Sequence, residues 1–132
     1  MITVLFACVH NAGRSQIAAA LFNRHADLAK ARAISAGTHP ADHVHPEVVA
    51  LMREMGVDLS ARRPQKLTAS LAAGVQWLIT MGCGDECPVV PGTQREDWPL
   101  ADPQGQSAER VRQIADDIHI RVSQLIDRHH WR

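Results

Sequence analysis

No excess of charge of either sign marks this sequence: Lys and Arg together number 14, as do Asp and Glu. A neutral balance gives no reason to expect nucleic acid or an anionic membrane surface as a partner. No apolar run approaches the roughly 20 residues of a membrane span. The opening Met1 to Val9 is apolar, but it is short, lacks a basic leader and runs into polar residues. It therefore reads as a buried strand rather than a signal peptide. Cysteine is sparse and odd in number, with only Cys8, Cys83 and Cys87. Such usage excludes a disulfide framework and points to a reducing, cytoplasmic setting. Repeats, linkers and low-complexity segments are also missing. The 132 residues, 45% of them apolar, are accordingly expected to form a single domain, 1–132, around one sizeable core.

What is present alternates between two periodicities. Residues 2–7 form a continuous apolar run, as in a strand covered on both faces. Residues 14–26 read as a helix, with Ile17 and Leu21 on one face and Ala18 and Phe22 also sharing one. Ala33 to Ala36 is a short strand ended by Gly37. Pro46 suits the first turn of a helix carrying Val48, Leu51, Met52 and Met55, and Gly56 suits its stop. Residues 67–73 predict a short helix and 75–81 a third strand. Residues 82–105 are rich in Gly and Pro and read as loop, with a short strand near Arg95 to Trp98. The last helix carries a stripe of Val111, Ile114, Ala115, Ile118, Val122, Leu125 and Ile126. The alternation predicts an α/β fold, a parallel sheet with helices on both faces.

Cys8, Val9, His10, Asn11, Ala12, Gly13, Arg14 and Ser15 lie between the first strand and the first helix. Open parallel sheets bind ligands at that edge. Successive N–H groups in such a turn can converge on an anion, and the helix N-terminus adds positive field. Gly13 can take backbone angles closed to other residues, and Asn11 tolerates the left-handed region. Arg14 can grip two oxygens of a phosphate-like group. The same field favours negative charge on the Cys8 sulfur, to which the Ser15 hydroxyl can donate. A bare Cys-x5-Arg is weak evidence. The strand before it, the Gly inside it, the Ser after it and the helix that follows turn it into a nucleophile beside an oxyanion cradle.

Downstream, Asp102 precedes Pro103 in the Gly/Pro-rich stretch. It reads either as a turn residue or as a general acid, and the residues alone leave both open. Asp97 is a weaker rival. Cys83 and Cys87 have neither zinc nor thioredoxin spacing, and two thiols do not complete a structural zinc site. They are two ordinary loop thiols or a redox pair in an exposed segment. His39, His43 and His45 read as a solvated loop cluster, and no metal site is expected.

With these residues in place, the sequence resembles the low-molecular-weight protein tyrosine phosphatase superfamily, and within it the arsenate reductase branch. The resemblance rests on Cys8, Arg14 and Ser15, on Asp102 with Pro103, on Ser35-Ala36-Gly37, on Arg62-Arg63-Pro64 and on the stretch from Trp77 to Cys87. It covers nearly the whole chain. It implies a four-stranded parallel sheet of flavodoxin-like order, with the loop as active site and Asp102 as acid. Two positions depart from the phosphatases: His10 replaces a usual Gly, and Gly13 a usual second Cys. Some arsenate reductases bind potassium through a Glu in the first helix; Ala19 stands at the matching position, so that ion is not carried over.

The resemblance further implies reduction of arsenate, a phosphate mimic, by Cys8, with Arg14 and the loop N–H groups stabilising charge. In this branch two downstream cysteines relay oxidation away from the nucleophile, here Cys83 and then Cys87, although their usual separation is longer. No cofactor is expected to be bound. The external reductant is thioredoxin, or mycothiol or glutathione with a glutaredoxin-like protein, in which case the downstream thiols can stand idle. The alternative is a phosphatase for phosphotyrosine or a small ester, which needs Cys8, Arg14 and Asp102 alone. Such enzymes usually wall the phenyl ring with aromatics beside the acid. Here Gln104 and Gly105 follow the Asp-Pro pair, the chain has no Tyr, and Trp98 is the one candidate wall. A non-catalytic oxyanion-binding module is the third reading.

Overall fold

The apolar run at the N-terminus becomes β1, Ile2–Cys8, in the computed structural model, which describes residues 1–82 and 91–132. The elements that follow are α1 (Arg14–His25), β2 (Ala31–Gly37), α2 (Pro46–Glu54), α3 (Ala69–Ala73), β3 (Trp77–Thr80), β4 (Gln94–Asp97) and α4 (Ala108–Arg128). The strands form one sheet in the order β2-β1-β3-β4, every pairing parallel. This is the flavodoxin-like order expected from the resemblance.

The side-chain alternation of β1 feeds two cores. Val4, Phe6 and Cys8 face one side and pack with α1, α2 and α4, while Leu5 and Ala7 face the other and pack with Leu67, Ala72, Val75 and Leu78. Helices thus cover both faces, three on one and the short α3 on the other. The expected pairs Ile17/Leu21 and Ala18/Phe22 are all buried, as is the whole apolar stripe of α4. Ser107 caps α4 by accepting from Arg110 N, and Thr68 caps α3 by accepting from Leu71 N. Each such cap contributes about 1 kcal/mol. Gly56, at φ +86, follows α2 where a left-handed residue ends a helix.

Two strands differ in length from the sequence reading. The second runs the full Ala31–Gly37, because all seven residues pair with β1. The third is only Trp77–Thr80, because Val75 is still in the turn leaving α3, its N–H donating to Ala72 O. Among the described residues no helix is long and apolar enough to cross a membrane.

Parallel strands place their carboxyl ends on one edge. Cys8 is paired with Gly37, Ala7 with Thr80, and Thr80 with Asp97. The chain leaves β1 outward to β2 and returns past it to β3, so the order reverses at β1. Ligand crevices in open α/β sheets form at such a point.

Candidate active site

The segment from Cys8 to Gly13 is held from outside. Cys8 O accepts from Thr38 N (3.2 Å), Val9 O from His39 N (2.8 Å), His10 O from Ala41 N (3.0 Å), Ala12 O from His45 N (2.9 Å) and Gly13 O from Ile17 N (3.0 Å). Asn11 O accepts from Gln16 Nε2 at 3.1 Å. In a trans peptide the N–H points opposite to the preceding C=O. With these carbonyls turned outward, the N–H groups of Val9 to Arg14 turn away from them, and none of these groups donates to a described residue. Asn11 at φ 50 provides the left-handed residue such a concave turn requires.

The tight wrap depends on small neighbours. A side chain on Gly37 would place its Cβ 2.6 Å from Val9 O and 2.8 Å from Asn11 N. Gly13, at φ −142, is needed for space rather than for a left-handed turn: its Cβ would lie 2.8 Å from Pro103 Cγ. Gly82, at φ +95, lies so close to Arg14 Nη1 that a Cβ there would collide with it.

A backbone donor also fixes the orientation of the amide nearest Cys8. Gln65 N donates to Asn11 Oδ1 (3.0 Å), which identifies that atom as the oxygen. Asn11 Nδ2 therefore faces Ser15 Oγ, at 2.7 Å, and donates to it. Ser15 Oγ lies 2.9 Å from Cys8 Sγ, and once the sulfur is a thiolate the hydroxyl is the donor of that bond. A hydroxyl aimed at a sulfur stabilises negative charge there. Cys8 is only 2% exposed, so a reaction at this sulfur proceeds through the concave side of the loop.

Arg14 opens α1 and is also buried. Its Nη1 donates to Leu100 O (3.1 Å), its Nη2 lies 3.9 Å from Asp102 Oδ2, and its Nε is buried with no partner among the described residues. An orphaned guanidinium N–H beside unpaired backbone N–H groups is a donor set for a multi-oxygen anion.

Asp102 and Asp97 separate clearly. Asp102 is half-buried at the mouth; its Oδ1 accepts from Gln104 N (2.9 Å), and Pro103 rests on Gly13. The turn-residue and acid readings are therefore compatible. Asp97, at the end of β4, accepts from the Thr80 hydroxyl, which with Arg95 holds its carboxyl below the ordinary carboxylate value. Stabilising the ionised form in this way leaves the carboxyl without a proton to deliver, which disfavours it as a general acid.

Other sequence expectations are corrected. Trp98 does not wall the mouth: it is buried, its ring is 5.6 Å from that of Phe6, and its Nε1 donates to Glu96. His39 and His43 are exposed, but His45 is buried, at the N-cap position of α2 and packed beside Gly13. Cys83 and Cys87 lie outside the described residues. The sequence reading missed Gln16, the Gln65 backbone, the Leu100 carbonyl and the close approaches at Gly37 and Gly82. The two glycines were visible in the sequence, but what they touch was not.

A sequence model of the low molecular weight phosphotyrosine protein phosphatase family matches residues 3–130. A relative from Halobacterium salinarum, provisionally named an arsenate reductase, is 42% identical over 126 residues, which is 92% of this chain and 89% of its own. The glutaredoxin arsenate reductase of Synechocystis sp. is 35% identical over 93% of this chain and 95% of its own. Among solved structures, the thioredoxin-dependent arsenate reductase of Corynebacterium glutamicum superposes with a TM-score of 0.83 at 40% identity over 96% of this chain. This chain spans 61% of the length of that one.

Proposed function

The chain belongs to the low molecular weight phosphotyrosine protein phosphatase family, and within it we propose that this protein reduces arsenate to arsenite at the expense of thiols, with Cys8 as nucleophile. The observation that carries the reading is the donor set around Cys8: N–H groups from Val9 to Arg14 turned away from their outward carbonyls, a buried Arg14 Nε without a partner among the described residues, and a Ser15 hydroxyl 2.9 Å from the sulfur. Preorganised donors of this kind favour the charge that develops on a tetrahedral oxyanion under attack.

In the proposed sequence the Cys8 thiolate attacks arsenic, forming an S–As bond. One As–O bond breaks, and Asp102 protonates the departing oxygen, which leaves as water. A second thiol, Cys83, then attacks the Cys8 sulfur. An S–S bond forms, the S–As bond breaks, and its electron pair stays on arsenic, which leaves as arsenite. Cys87 next attacks Cys83 and frees Cys8 as a thiolate, and the Cys83–Cys87 disulfide is opened by an external dithiol. The names of the relatives supply both candidate reductants, thioredoxin and a glutaredoxin-linked thiol. Preference for arsenate over an aryl phosphate follows from the burial of Trp98, which leaves Leu100, Asp102 and Pro103 beside the loop without an aromatic face.

The test is a single turnover of reduced protein with arsenate and no added reductant, followed by peptide mapping. The expected result is one arsenite per chain, a Cys83–Cys87 disulfide and free Cys8. Three free thiols, with arsenite formed only when a small thiol is supplied, would replace the relay by direct attack from that thiol. Efficient ester hydrolysis without arsenite would establish a phosphatase instead.

Asp102→Asn is expected to lower the chemical step by about 10²–10⁴-fold, the usual range for a lost general acid, while phosphate inhibition changes little. Asp97→Asn, at a carboxylate already committed to Thr80, should stay close to the native rate. Steady-state kinetics on both variants check this, and the reverse pattern would make Asp97 the acid.

A further inference from the structure

We propose that Gln16 is a positioning residue that tunes the charge on Cys8 through two intermediates, Asn11 and Ser15. Gln16 is the third residue of α1 and is 5% exposed. Its Nε2 donates to both the backbone O (3.1 Å) and the side-chain Oδ1 (3.2 Å) of Asn11. Of the carbonyls from Cys8 to Gly13, Asn11 O is held by a side chain and the others by backbone N–H groups, among the described residues. One residue type at one position therefore secures the left-handed turn of the loop, and a point substitution can remove it.

The same nitrogen sets the orientation of the Asn11 amide. With Oδ1 held by Gln16 and Gln65, Nδ2 has one direction left, toward Ser15 Oγ. That bond holds the Ser15 hydroxyl 2.9 Å from Cys8 Sγ, where it donates to the thiolate. Without Gln16, Asn11 Oδ1 retains Gln65 N alone and the amide is free to tilt; its bond to Ser15 Oγ is then kept only part of the time, and the hydroxyl turns away from sulfur for the rest. The cost appears at Cys8 although Gln16 does not touch it. On its other side Gln16 borders a cavity of about 390 Å³, shared with Asn23, Ser35 and Gln65, so a replacement side chain has room.

The inference rests on Cys8 being the nucleophile, but not on which oxyanion it attacks. Loss of that underlying reading would show separately, as turnover by Cys8→Ser. The experiment measures the rate of Cys8 carbamidomethylation by iodoacetamide against pH, read by peptide mass spectrometry on the reduced full chain. Native protein, Gln16→Leu, Gln16→Glu, Ser15→Ala and the Ser15→Ala/Gln16→Leu double variant are compared, with thermal melts reporting fold. Both Gln16 variants are expected to move the midpoint upward, and by less than Ser15→Ala, which removes the hydroxyl donor outright. In the Ser15→Ala background, Gln16→Leu should add nothing, because the route to sulfur is already cut. An unmoved midpoint in a folded variant overturns the proposal. So does an equal shift with and without Ser15, which would mean that Gln16 acts by another route. Loss of fold in both Gln16 variants also overturns it, since Gln16 would then be a structural residue only.

Discussion

Cys8→Ser is expected to give a folded protein that still binds phosphate and forms no measurable arsenite, a loss of at least about 10⁴-fold, as for other enzymes stripped of their nucleophile. The structure explains why binding and chemistry should separate. Cys8 ends β1, is buried in the larger core, and touches Ser15 Oγ at 2.9 Å. A hydroxyl fits the same space and keeps that hydrogen bond. The cradle itself consists of backbone N–H groups and Arg14, none of which the substitution alters. What disappears is the thiolate: a serine hydroxyl stays protonated where a thiol ionises, and oxygen has no disulfide to form in the second step. Phosphate is expected to raise the melting temperature of the variant and of the native chain alike, since a ligand stabilises the fold it binds. Arsenite assays on both proteins, with melts in and out of phosphate, check the two halves. Native turnover by the serine variant would remove Cys8 as nucleophile.

Arg14→Lys comes next in expected size, a fall of about 10²–10³-fold in kcat/KM, comparable to losing a main oxyanion donor elsewhere. Charge alone does not do the work of this residue. The guanidinium is spread over three tasks: Nη1 on Leu100 O, Nη2 toward Asp102, and a buried Nε with no acceptor among the described residues. An ammonium is a single point and does not serve three directions. It would either abandon the Leu100 carbonyl, loosening the segment that carries Asp102, or keep it and leave the anion unclamped. Gly82 was accommodated to the flat group, with no room for a Cβ against Nη1. Phosphate affinity should fall together with kcat/KM. A lysine variant retaining both would show that the anion sits elsewhere.

The elements were legible in the sequence where periodicity is long. The reading of α1 over 14–26 fell within one residue of its end, the α4 stripe from Val111 to Ile126 lies inside its helix, and the apolar run of β1 gave its strand. Val75 was assigned to a strand because it is apolar; it is buried, but in the turn after α3, and hydrophobicity does not distinguish the two. The left-handed Asn11 was anticipated from its side chain. Gln16 was not, since a polar residue in a first helical turn ordinarily faces water, and its burial depends on β2 and the Gln65 segment converging from far along the chain. Trp98 failed as a wall for a similar reason: one residue beyond β4, it has turned back over Phe6. Gly37 and Gly82 carried no local mark of what they touch, because the touching groups are 26 or more residues away in sequence.

Four of the outer bonds on the Cys8 loop come from backbone N–H groups of Thr38, His39, Ala41 and His45. A main-chain donor is the same in nineteen of the twenty amino acids and missing in proline. The heredity of this site is therefore written less in the identity of residues 38–45 than in their number and in where proline falls. The two prolines of the neighbourhood, Pro40 and Pro46, occupy positions whose N–H none of these bonds requires. Side chains along this stretch can drift while the cradle persists, whereas an inserted residue, or a proline moved one place along, would unpin the loop from its scaffold.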